Sequence, residues 1–177
     1  ERARATALMG TALAMQFKPV DAIARFEEAL KLDGDNVFAK AELGRILLGQ
    51  REHGRAVPLL KDASEREPNN LDYAEAYLSA LIAAGKMEDA LNQVSIANGR
   101  FPGNPRIAFL FGRIHDTGDQ VKEAEAHYIR AAGADGALYE ANLQLGRLYL
   151  RLRRLADAKP RFEAAATQAP DAAPVHS

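Results

Sequence analysis

The chain has 177 residues, 47% hydrophobic and 27% charged, with 23 basic and 24 acidic residues leaving a formal net charge of −1. A balance so close to zero removes the general electrostatic pull toward nucleic acid that a strong basic excess supplies. The absence of cysteine excludes a disulfide framework and any thiolate metal site.

Taken in chain order, the residues predict helices in pairs. The first pair is expected over 3–17 and 20–32, with Pro19 in the first turn of the second helix, where its missing N–H is not needed. Further pairs are expected over 37–49 and 54–66, 71–84 and 87–99, 105–117 and 121–133, and 138–152 and 155–168. Asn36, Asn70 and Asn104 stand where the next pair begins, as N-caps whose side-chain oxygen accepts an orphan backbone N–H. Pro68, Pro102 and Pro170 stop the second helix of their pairs, because the residue before proline is pushed out of the helical region. Gly34 and Gly136 are expected to end theirs through a left-handed cap. Pro58 and Pro160 fall inside second helices, which predicts a late start or a mild kink there. No apolar run approaches the roughly 18 residues of a membrane span, and no signal-peptide pattern opens the chain. Glu1 lies directly inside a helical pattern, as expected of a segment cut from a longer chain. The expected compartment is cytoplasm or periplasm, without a choice between them.

The pairs repeat. Gly44, Leu47, Ala56, Leu60, Ala63, Pro68 and Asn70 recur 34 residues later as Leu78, Leu81, Ala90, Val94, Ala97, Pro102 and Asn104. The same register continues to residue 172 and back to residue 3, and a fixed period of this size signals stacked repeats. Five copies result: 3–36, 37–70, 71–104, 105–138 and 139–172, with 173–177 as a tail. Positions within a copy are numbered 1 to 34, its first helix being A and its second B. Position 20 is alanine in every copy (Ala22, Ala56, Ala90, Ala124, Ala158), and so is position 27 (Ala29, Ala63, Ala97, Ala131, Ala165). Position 7 is large and apolar: Met9, Leu43, Tyr77, Phe111, Leu145.

This pattern resembles the tetratricopeptide repeat (TPR) family, departing from it at Leu78, where a small residue is usual, and at Gly34 and Gly136, where proline is. The resemblance implies an all-α fold, a right-handed superhelical α-solenoid of antiparallel helix pairs. It also implies a concave face lined by helix-A positions 2, 5, 9, 12 and 13, on which extended peptides bind. Those 25 residues hold six arginines against four acids. Carried onto this chain, the partner-binding residues are Arg45, Arg106, Arg113 and Arg147, with Phe38, Phe109, Leu48, Ile82 and Leu143 as apolar anchors. Arginine and aromatic residues often dominate interface energetics, and arginine suits bidentate capture of carboxylates. The expected partner is a protein or peptide, apolar with acidic residues. Nucleic acid and direct membrane insertion are not expected. The rival reading is a self-neutralised wall in which Arg113 pairs with Asp116 and Arg45 with Glu42. The carboxylate clamp of chaperone-binding relatives is not matched: its opening lysine, at position 5, would be Ala7, Ala41 or Glu75.

Catalytic constellations are hard to find. His53, His115, His127 and His176 show no metal-ligand spacing. His115, at position 11, is expected as a hydrogen-bonded interior imidazole, and Glu123 with His127 as a surface pair. No catalytic residue, metal or cofactor is expected. Two alternatives to peptide binding are a structural spacer that oligomerises through its terminal repeats and the regulatory repeat domain of a larger enzyme.

Overall fold

The computed structural model describes residues 1–133 and 138–168, which form ten α-helices and no strand. They are α1 (Arg2–Met15), α2 (Pro19–Leu32), α3 (Val37–Gly49), α4 (His53–Arg66), α5 (Leu71–Ala83), α6 (Met87–Arg100), α7 (Pro105–Thr117), α8 (Val121–Gly133), α9 (Tyr139–Arg151) and α10 (Leu155–Gln168). Odd-numbered helices are the expected A helices and even-numbered ones the B helices. Two compact units follow one another, Glu1–Lys86 and the residues from Met87 on.

In the first unit each of α1 to α5 packs on its neighbour in sequence, and α3 also touches α1 and α5. The alanines at positions 20 and 27 lie in the interior, and so do those of the second unit. The close approach they allow is completed by glycine at position 8. A Cβ built on Gly10 would stand 3.0 Å from the Phe26 ring, and one on Gly44 2.6 Å from Leu60. Glycine is thus the notch into which the position-24 side chain of the same copy fits. Ion pairs tie copies 1 and 2 on the outside: Arg55 to Glu27 at 2.6 Å and Arg66 to Asp35 at 2.6 Å.

In the second unit α6 to α10 pack in the same sequential way. The same notch recurs: a Cβ on Gly112 would meet the Tyr128 ring at 2.4 Å, the closest of the four, and one on Gly146 the Phe162 ring at 2.7 Å. Copies 4 and 5 are tied by two carboxylates, each shared between a tyrosine and an arginine. Glu125 accepts from the Tyr149 hydroxyl at 2.8 Å and from Arg154 at 3.0 Å. Asp116 accepts from Arg151 and, at 3.5 Å, from the Tyr128 hydroxyl. Arg154 also stacks over the Tyr149 ring, 4.4 Å from its centroid.

The helix ends follow local chemistry. Asn36 accepts the N–H of Ala39 at 2.9 Å. Asn70 accepts those of Asp72 and Tyr73, and Asn104 those of Arg106 and Ile107. Pro19 occupies the first turn of α2, and α4 and α6 end before Pro68 and Pro102. Gly34 corrects the expectation of a left-handed cap: among the described residues the glycines with positive φ are Gly85 and Gly103. The chain leaves α2 through an extended Asp33, whose carboxylate accepts the Asp35 N–H at 3.1 Å, so the side chain makes the turn. Helices α4 and α10 run through Pro58 and Pro160 without a late start. A proline there removes one i−4 bond, to Gly54 or Ala156, and the remaining turns hold. Gly136 and Pro170 lie outside the described residues.

One feature recurs in all five A–B turns. Position 15 has positive φ: Phe17 (58°), Arg51 (64°), Gly85 (72°), Asp119 (56°) and Arg153 (59°). The next N–H in each case reaches back to the position-11 carbonyl, as in Lys18 to Leu13 at 3.1 Å and Gln120 to His115 at 2.8 Å. That six-to-one bond is the Schellman helix ending. Only copy 3 meets it with glycine.

Candidate functional site

The residues expected to meet a partner lie on A helices, and the two units present them differently. On α3 of the first unit, Phe38 and Arg45 are exposed and Leu48 is half-buried. Arg45 donates to Glu42 at 3.2 Å, so its charge is answered one turn back on its own helix. Ile82 is a correction. It is buried, 8% exposed, because α5 is apolar around most of its circumference and buries Tyr73, Ala76, Tyr77, Leu78 and Leu81 as well.

Phe38 also belongs to a cleft of about 460 Å³ lined by Arg4, Leu8, Asp33 and Asn36. Arg4 and Phe38 both stand at position 2, as the concave-face pattern has them. Leu8, at position 6, was missed, although its spacing of four residues from Arg4 places it on the same helix face.

On α7 and α9 of the second unit the charges are arranged otherwise. Arg113 is half-buried and Arg147 exposed, and neither guanidinium has an ion pair or hydrogen bond among the described residues. The Arg113–Asp116 pair of the rival reading does not form, because Asp116 is already held by Arg151 and faces the Tyr128 hydroxyl. Burial first, and the Asp116 charge second, push the Tyr128 phenol well above its ordinary range, so it remains a proton donor. Arg106 is half-buried and engaged. Phe109 is half-buried too, its ring 5.7 Å from that of Tyr128 and tilted by 43°, so part of its apolar surface is spent on the core. Leu143 is half-buried.

On the opposite side of α7, three rings stack nearly parallel. His127 of α8 lies 4.6 Å from Phe111 and 5.3 Å from His115, both of α7. His115 is half-buried and hydrogen-bonded, its Nδ1 2.6 Å from Gln120 Oε1. Glu123 and His127 make no surface ion pair among the described residues, since the imidazole is drawn into the stack. The sequence signal was the coincidence of ring-bearing residues at positions 7, 11 and 23 in one copy. No group of three or more His, Asp or Glu among the described residues is placed to hold a metal ion. No described helix is long and apolar enough to cross a membrane.

Comparisons with known proteins agree with this architecture. Family models described as tetratricopeptide repeat match residues 13–78 and 139–171. No curated protein sequence matches this chain significantly. Among solved structures, a thermophilic TPR protein of Thermus thermophilus superposes with a TM-score of 0.79 at 23% identity, over 96% of this chain and 93% of its own. PilW, a type IV pilus biogenesis factor, gives 0.81 at 18% identity, over 96% of this chain and 79% of its own. YrrB, described as a TPR protein with an unusual peptide-binding site, gives 0.65 at 18% identity, over 94% and 86%. The 34-residue register, the ten alternating helices and the two family matches together place this chain in the tetratricopeptide repeat family, with an all-α, solenoid-type fold.

Proposed function

We propose that this protein is an interaction scaffold whose helix-A faces hold a segment of a protein partner, and that copies 4 and 5 bind the acidic part of that segment. The observation that carries this reading is the pair of unanswered guanidiniums, Arg113 and Arg147, at the same position of successive copies. Asp116, the acid best placed to neutralise Arg113, is occupied elsewhere. Half-buried Phe109 and Leu143 supply apolar surface beside them. The peptide-binding site named for YrrB supports the general mode.

A binding screen against arrayed peptides of mixed composition tests it. Apolar segments carrying Asp or Glu should be retained. Arg113→Glu with Arg147→Glu should weaken that retention at least tenfold without unfolding the protein. Arg45→Glu, at a site already neutralised by Glu42, should change it little. Retention unaffected by the double reversal rejects the reading.

A second reading, self-association through the first repeat, is favoured by one observation. Met9 at position 7 is 54% exposed, whereas Leu43, Tyr77 and Leu145 at that position are 3%, 6% and 0% exposed. Met15, Phe17 and Val20 are exposed in the same copy. Light scattering over a micromolar range decides it: a concentration-independent monomer removes this reading.

A further inference from the structure

The ring stack behind α7 contains a polar atom with nothing to bond. His127 Nδ1 is buried and has no hydrogen-bond partner among the described residues. A neutral imidazole protonated at Nε2 places only a lone pair there, a modest cost. An imidazolium would place a charged N–H donor there, and an unsatisfied buried charge costs far more. His115, stacked 5.3 Å away, is differently equipped: Gln120 Oε1 can accept its Nδ1–H in either charge state.

We propose that the His115–His127 ring stack makes copy 4 acid-sensitive: the orphaned Nδ1 of His127 has no acceptor for an added proton, and acid loosens the packing of α8 on α7. The groups that act on the His127 ring are Arg130, from α8 itself, and His115, from α7. Both oppose a second positive charge. No carboxylate of α6 or α9 answers it among the described residues. Burial first, then Arg130 and His115, hold the His127 imidazole below its ordinary value.

The sign follows from linkage. A base whose proton affinity is lower in the folded than in the unfolded chain leaves stability intact above the unfolded value, about 6.5 for imidazole. Stability then falls as the pH drops below that value and levels off once the folded form is protonated too. Each tenfold depression of proton affinity removes up to about tenfold from the folding constant at acid pH. Carboxylates titrate lower, around pH 4, and leave the window between 7.5 and 5.5 largely to histidine. Arg113 lies two residues from both Phe111 and His115 and so points away from the stack. It nevertheless rides on the same helix, so loosening α8 from α7 also disturbs the proposed partner face. That consequence rests on the reading above; the loss of stability does not.

The experiment is a histidine-resolved NMR titration of the 177-residue chain, with urea unfolding at pH 7.5 and 5.5. His127 should titrate below the ordinary imidazole value. The unfolding midpoint should fall at pH 5.5. His127→Phe, which keeps a ring in the stack and removes the proton site, should lose most of that fall. His115→Gln should raise the His127 titration point by removing the neighbouring charge. The proposal is overturned if His127 titrates at or above the ordinary value, or if His127→Phe keeps the full acid-induced fall. Should His127→Phe fail to fold, the wild-type titration and His115→Gln still decide.

Discussion

Copies 2 and 4 are built on one frame and finished differently. Both begin with an asparagine cap, turn through a positive-φ residue, and seat a position-24 side chain in a position-8 glycine. Copy 2 then fills its remaining positions conventionally, with Leu43 and Leu47 in the interior and Arg45 neutralised by Glu42. Copy 4 carries Phe111, His115 and His127 as a ring stack and leaves Arg113 unanswered. The difference separates two kinds of position. Positions 8, 20, 24 and 27 make a helix pair, while 7, 9, 11 and 23 are free to acquire charge and titratable chemistry.

The notch offers the largest effect. Gly112→Ala brings a methyl within 2.4 Å of a fully buried tyrosine ring, whereas Gly44→Ala meets a branched leucine at 2.6 Å. We expect Gly112→Ala to cost about 3 kcal/mol and Gly44→Ala about 1–2 kcal/mol in urea denaturation. Both losses are net of the roughly 1 kcal/mol that alanine gains over glycine inside a helix. The reverse order would show that the two copies do not share one frame.

The caps come next. Asn104 serves two backbone N–H groups and Asn36 one. Asn104→Ala should therefore cost about 1 kcal/mol and Asn36→Ala somewhat less, read from thermal melts. The smallest effect lies in the turns and has the opposite sign. Arg51→Gly should stabilise by about 0.5 kcal/mol, because a long side chain is disfavoured at φ 64°. Asp119→Gly should be close to neutral, since aspartate tolerates that conformation. An equal gain at both sites would mean that side-chain type is irrelevant in this turn.

The repeat frame was legible because its signals are local and recur. Two all-alanine columns, a 34-residue period and asparagines at fixed offsets placed all ten helices to within two residues. The Schellman turns were not legible, since their usual marker is glycine and four of the five copies lack it. There the packing of the two helices imposes a conformation the side chain does not favour. The left-handed cap assigned to Gly34 failed for the converse reason: Asp33 supplies the turn through its carboxylate.

The helix-A register was legible in the sequence, but the charge pattern along it was not. Arg45–Glu42 follows from helix spacing alone, and it forms. Arg113–Asp116 follows from the same rule and does not, because Arg151, 35 residues away, takes the carboxylate. Ile82 shows the same limit. A position that faces outward in an amphipathic helix is buried in one as apolar as α5.

The glycine notch and the side chain it receives stand 16 residues apart in each copy that has one, as in Gly44 with Leu60 and Gly112 with Tyr128. A contact that close along the chain requires only a short loop to close, an event of well under a microsecond. Such a hairpin can assemble before any distant segment is in place, and chains dominated by near-neighbour contacts fold in microseconds to milliseconds. A nascent chain leaving the ribosome could thus mature one hairpin at a time, each finished pair becoming the template on which its successor condenses.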